Sequence, residues 1–430
     1  MNPVPLFLII VTLPLLLGGC GGEKKESVVE TKPVEEMPIN PNLKYEIKDD
    51  EVTITGCDKK ASGELTIPAT IEGNPVTSIG RYAFKYCTSL TSITIPDSVT
   101  SIGGSAFRDC SSLMSITIGD SVTSIGDGAF GGCRSLTSIT IPDGVTSIGG
   151  SAFYNCASLT SITIPDGVTS IGGSAFYNCA SLTSITIPDS VTSIEQGAFS
   201  GCKGLTTIEV GAGNVNFTDV NGVLFNKQKT VLYVYPASKT GANYTIPEGV
   251  TSIGKEAFNN CSSLTSITIP DGVTSIVSFA FGQCTSLTSI TIPDGVTSIE
   301  QGAFAYCSRL TSITIPDGVT SIGYGAFRSC GLSSITTGNS VTSIGKLAFW
   351  SCSSLTNITI PDSVTSIGED AFYECTNLTA VTFLGDAPRV LGSTFKAFKD
   401  SVPTIYRKPE AKGWGDTFGG RPVKLISEKP

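Results

Sequence analysis

Twelve cysteines recur along the chain, Cys87, Cys110, Cys133, Cys156, Cys179 and Cys202 at steps of 23 residues, then Cys261, Cys284, Cys307, Cys330, Cys352 and Cys375, with a single step of 22. Thiols can bind a metal, form disulfides or pack as small apolar groups. Zinc needs closely spaced pairs such as C-x-x-C, and a 23-residue step offers only a row, so no metal and no other cofactor is expected. Stacked coils would place successive Cα atoms about 4.8 Å apart, inside disulfide range, but with parallel Cβ vectors that resist pairing. The expectation is a column of buried free thiols. With Cys20 and Cys57 they make up all 14 cysteines.

A second row holds carboxylates: Asp97, Asp120, Asp143, Asp166, Asp189, Asp271, Asp294, Asp317 and Asp362. Such a row could hold calcium, yet Asp also simply suits the turn after Pro, and no Gly-rich calcium repeat accompanies it. Columns of Ser and Thr offer a regular lattice of the kind that orders water on ice, although Thr is also an ordinary exposed strand residue. The residues flanking each Ala-Phe pair vary most: Tyr82, Lys85, Tyr86, Arg108, Tyr154, Tyr177, Phe279, Tyr306, Tyr324, Arg328, Trp350 and Tyr373. Aromatics and Arg are the types enriched in binding hot spots, so Tyr154, Tyr177, Tyr306, Tyr324, Arg328, Trp350 and Tyr373 are the candidate ligand-binding residues, with neutral drift at solvent positions as the competing reading. There is no His in the 430 residues, which excludes imidazole chemistry, and no nucleophile, acid pair, phosphate loop or cofactor fingerprint is visible. A net charge of −9 without a basic stripe argues against nucleic acid.

The elements that must position these groups are copies of one unit. Gly144 to Asp166 reads GVTSIGGSAFYNCASLTSITIPD, and Gly167 to Asp189 repeats it letter for letter. In SLTSITIP, inward Leu159, Ile162 and Ile164 alternate with outward Ser161 and Thr163, the period of a strand. PDG turns the chain, GVTSI forms a second short extended piece, and the spacing of Ala175, Phe176 and Cys179 suits one helical or 3₁₀ turn with Tyr177 and Asn178 facing water. One unit cannot bury enough to offset the entropy of ordering it, whereas stacked units cover one another. The expected fold is therefore a repeat solenoid, mainly β, with one short helical or 3₁₀ turn per 23-residue repeat.

The pattern L-x-x-I-x-I-P-x-x-V-x-x-I-G-x-x-A-F-x-x-C, from about Val76 to Leu378, resembles the repeat of BspA-like leucine-rich repeat proteins of bacterial surfaces. The resemblance implies a right-handed curved leucine-rich-repeat stack, no enzymatic activity, and a role in adhesion or in binding host or neighbouring-cell molecules, protein or glycan. A passive structural spacer or envelope component is the alternative.

The start, MNPVPLFLIIVTLPLLLGGC, has an apolar run too short for a membrane span and ends at Leu17-Gly18-Gly19-Cys20, which resembles a bacterial lipobox, although no Lys or Arg precedes the run. Cys20 is then the lipidation residue, and the exported protein is anchored through its lipid to the bacterial cell envelope. The expected organisation is a signal peptide at 1–19, a flexible tether at 20–42, an N-terminal β cap at 43–75, repeats at 76–210, a hairpin insertion at 211–246 with its turn near Lys227 and Gln228, repeats at 247–384, and a C-terminal cap at 385–430.

Overall fold

In the computed structural model, residues 39–391 and 397–429 are described. Cys20, the signal peptide at 1–19 and the tether up to residue 38 lie outside them. Each repeat contributes two short strands, and the strands of successive repeats pair in parallel, letter on letter. Ser161–Thr163 pairs with Ser138–Thr140, and Ser170–Ile171 pairs with Ser147–Ile148 and with Ser193–Ile194. A slip of one residue would turn every Ile outward, so the alternation of Ile with Ser and Thr fixes the register. Repetition of this step gives a β-solenoid of about 15 turns with almost no helix.

The core is one row per inward letter. In the repeat that supplies Leu159, Ile162, Ile164, Val168, Ile171, Ala175, Phe176 and Cys179, all eight are buried. The phenylalanines form a ladder, with rings 5.5 Å apart between Phe130 and Phe153 and 5.4 Å between Phe153 and Phe176, their planes almost parallel. Most column thiols donate to the Phe carbonyl one coil back, as Cys156 Sγ does to Phe130 O at 3.2 Å, while Cys87 and Cys261, the first of each block, donate to Asp58 O and Tyr235 O. The buried S–H is thereby satisfied without a disulfide.

The structure corrects the expected helical turn. The N–H groups of Ala152 and Tyr154 close successive turns onto Gly149 O and Ser151 O, while those of Ser151, Phe153 and Asn155 cross to Gly173 O, Ala175 O and Tyr177 O of the next coil. A helix would direct all its N–H groups along its own axis and leave none for the neighbour. The alternation requires left-handed backbone at Ser151 (φ 56°) and Asn155 (φ 59°), and Gly takes both places at Gly128 and Gly132. Tyr177 and Asn178 are half-buried rather than facing water, because Tyr177 stacks on Tyr154 and Asn178 Nδ2 donates to Asn155 Oδ1 at 2.8 Å.

The ladder breaks once. Phe217–Val220, Val223–Asn226 and Val231–Val234 form an antiparallel meander whose last strand resumes the stack by pairing in parallel with Ser252–Ile253. Tyr235 then takes the Phe position over Phe258. No ring contact joins Phe199 to Tyr235 among the described residues. A cavity of about 210 Å³ lies between their coils, and the buried apolar residues fall into two clusters, one ending at Phe217 and Leu224 and the other beginning at Val223 and Phe225.

Both ends add coils outside the regular repeat. At the start, Glu51–Cys57 pairs in parallel with Asn74–Ile79, and its buried Cys57 lies beside the first column thiol, Cys87. Near the finish, Ala397 and Phe398 continue the ladder onto Phe372, and Ser401 Oγ donates to Phe372 O at 3.1 Å, the bond a column thiol would make. Thr404–Arg407 and Arg421–Leu425 extend the parallel stack.

Candidate ligand-binding ridge

The residue after each inward Ala-Phe pair lies on the outer side of its turn, and the repeat stacks these positions into a ridge: Lys85, Arg108, Gly131, Tyr154, Tyr177 and Ser200 before the meander, then Asn259, Gly282, Ala305, Arg328, Trp350, Tyr373 and Lys399 after it, with the small Ser200 and Ala305 buried. The step of one coil is close to the stacking distance of flat groups, so neighbouring rings and cations on this ridge touch.

Four of the seven candidates form one run. The Arg328 guanidinium lies 3.6 Å from the centre of the Trp350 ring and 5.3 Å from that of Tyr306. Trp350 stacks on Tyr373 at 6.2 Å, and Lys399 Nζ closes the run 5.0 Å over Tyr373. Each cation sits over the negative face of a ring, an attraction that fixes the long Arg side chain in place. Arg328 Nε and Trp350 Nε1 are buried without a hydrogen-bond partner among the described residues, leaving two donors whose burial is uncompensated.

Tyr154 and Tyr177 form a second group, rings 5.1 Å apart and nearly parallel. Burial pushes the Tyr177 phenol above its ordinary range. Tyr324 belongs to neither group: it precedes its Ala-Phe pair, is 43% exposed and has no ring contact among the described residues. A further cluster at the N-terminal end puts Arg81 and Lys85 over Tyr82, at 4.8 and 4.9 Å.

Lys399 escaped sequence reading because its coil carries Ser401 where the others carry Cys; the surviving signal was the pair Ala397-Phe398. The carboxylate row has a structural use: Asp97 Oδ1 accepts from Asp120 N at 3.1 Å, and Asp317 Oδ1 from Asn339 N at 2.8 Å. These carboxylates stitch one turn to the next.

The profile of the BspA type leucine rich repeat region matches residues 77–206, 123–243, 233–356 and 342–401, which together span most of the solenoid. The chain belongs to the BspA-type leucine-rich repeat family. Among solved structures, it is similar to a leucine rich cell surface protein of Faecalibacterium prausnitzii, with 34% identity over 82% of this chain and 94% of that one and a TM-score of 0.63. A leucine-rich repeat protein of Bacteroides ovatus shares 30% identity over 90% and 99% of the two chains, at a TM-score of 0.56. The pneumococcal vaccine antigen PcpA, at 23% identity over 86% and 93% and a TM-score of 0.64, shares the fold. No curated protein matches. Among the described residues, no helix of this BspA-type chain is long and apolar enough to cross a membrane.

Proposed function

We propose that this BspA-type chain is a surface protein that binds a macromolecular partner, protein or glycan, through the ridge after each Ala-Phe pair. The observation that carries the reading is the run Tyr306, Arg328, Trp350, Tyr373: it sets rings and a cation side by side on a frame whose strands are nearly identical from coil to coil. Identical strands offer identical surfaces, which supply avidity but little discrimination, whereas the ridge differs at each step. Groups held by stacking lose little freedom on binding.

Two grouped variants test this. One replaces Tyr306, Arg328 and Trp350 by Ser, and the other replaces the outward strand residues Thr163, Thr186 and Thr291 by Ala. Against a ligand found by pull-down or glycan array, the first set should weaken binding by roughly 2 kcal/mol or more in total and the second by little. The reverse ranking moves the site to the strands. The stacking of Arg328 on Trp350 also favours a second reading, a spacer whose coils are merely cemented together; absence of any ligand in both screens, with the first set losing stability, supports it.

Export and anchoring through a lipid on Cys20 belong to the same proposal and rest on the Leu17-Gly18-Gly19-Cys20 sequence. Mass spectrometry of the mature N-terminus decides that point: an unmodified Cys20 removes the anchor.

A further inference from the structure

Before the meander, one coil interrupts the ridge by omission. Where its neighbours carry Arg108 and Tyr154, the coil between them carries Gly131, followed by Gly132. A layer of side chains is missing, and a pocket of about 340 Å³ occupies its place. Across the gap the flanking layers stand two coils apart, about 9.6 Å, which leaves room for one flat group at stacking distance from each.

The walls are chemically distinct. On one side is the Tyr154 ring, whose far face is backed by Tyr177 at 5.1 Å; its near face meets no ring among the described residues. Asn155 beside it accepts from Asn178 at its Oδ1 and keeps its amide N–H groups without a partner among the described residues. The opposite wall holds Arg108 and Asp109, 3.6 Å apart and both partly exposed. Arg134, also lining the pocket, is exposed and makes no ion pair among the described residues. An apolar ring face, a carboxylate, an amide and two guanidinium groups around a slot one layer thick match a pyranose: C–H groups on one sugar face lie against Tyr154, and vicinal hydroxyls meet planar donors and acceptors. Two cations against one carboxylate favour a sugar that carries its own carboxylate. A flat aromatic side chain of a protein would fill the slot but leave these polar groups unpaired.

We propose that this notch binds a single pyranose unit of an acidic glycan, stacked on Tyr154 with its carboxylate toward Arg108 and Arg134. The inference rests on the ridge being a binding surface, and it names the ligand class for one place on it.

The test exploits the repeat. Gly131 has ordinary backbone, and a Cβ there would find its nearest neighbours at 3.3 Å from Gly128 O and 3.5 Å from Ser151 O, in the coil position where Arg108 and Tyr154 already sit. Gly131→Tyr therefore restores the missing layer and plugs the slot, the Gly128 carbonyl giving way by a few tenths of an ångström. The probes are methyl glucuronide, methyl galacturonide and their neutral parents, with saturation-transfer NMR on the full chain as readout. A lone sugar of this size is expected to bind with a dissociation constant on the order of millimolar.

Binding of an acidic sugar at least fivefold tighter than its neutral parent, abolished by Gly131→Tyr and weakened about tenfold by Tyr154→Ala, bears the proposal out. No saturation transfer from any of the four sugars overturns it, as does binding that survives in Gly131→Tyr with circular dichroism unchanged. Transfer from free tyrosine amide but from no sugar overturns it in favour of a protein side chain. Failure here leaves the ridge reading standing if the Tyr306, Arg328 and Trp350 variant still loses its ligand, so the two can fail separately.

Discussion

The thiol column shows how a reactive group is made inert by position. Cys110, Cys179 and Cys352 are buried and donate to the Phe carbonyl of the preceding coil, and burial pushes their thiols up to about 12. Thiolate is the nucleophile, so native protein at pH 8 should show almost no labelling of these positions, whereas urea-unfolded protein should label throughout. The same displacement sets an alkaline limit. Below about pH 9 the thiols are protonated whether folded or not and contribute no pH dependence. Between about 9 and about 12 the unfolded chain releases protons that the folded chain keeps, and stability falls by up to about 1.4 kcal/mol per thiol for each pH unit. Urea midpoints measured from pH 7 to 11 should therefore be flat and then drop steeply. A midpoint independent of pH across that span would mean that the column is open to solvent.

At the scale of the element, the strands were legible and the turn was not. Period-two alternation of Ile with Ser and Thr admits only a strand with one buried face, and residues such as Ile162 and Thr163 stand where that rule puts them. Ala, Phe and Cys at i, i+1 and i+4 are served equally well by a helical turn and by successive β-turns; only the neighbouring coil's need for N–H donors decides, and no single repeat states it. The ridge followed the same logic: residue types were visible, but contacts such as Arg328 on Trp350 depend on the 22- or 23-residue step becoming a stacking distance. The turn carries its own prediction. Ser174 has φ of 56° and makes no side-chain hydrogen bond among the described residues, while Gly holds the equivalent place at Gly128, Gly197 and Gly302. Ser174→Gly should stabilise by about 0.5–1 kcal/mol, since relief of the left-handed penalty exceeds the entropy of the added Gly. Ser174→Val should destabilise by about 1 kcal/mol or more, because a β-branched side chain resists that backbone. Urea unfolding of the two variants should bracket the parent, and the opposite order would contradict the turn geometry.

For the whole molecule, the duplicated segment provides the sharpest test of modularity. Deleting residues 144–166 joins Asp143 to Gly167, the same junction as the native Asp166-Gly167, so every remaining coil keeps its partner. The shortened chain should fold with an unchanged circular dichroism profile per residue, lose about 4.8 Å of length by small-angle scattering, and unfold at a slightly lower temperature. Deleting 12 residues from the same place should prevent cooperative folding, because half a coil leaves the inward letters facing water. If both deletions unfold alike, nearest-neighbour stacking is not what stabilises the solenoid.

The gap between Phe199 and Tyr235 acquires a further meaning when the chain is put under load. Along every other interface of the ladder, tension is shared among parallel bonds and interlocked rings; here a cavity of about 210 Å³ stands in for a ring contact, and the apolar core is divided in two. Stretched end to end, the protein should part at the meander first and pay out the residues of that segment before either block unravels, giving an extensible link between two stiff rods rather than one brittle one.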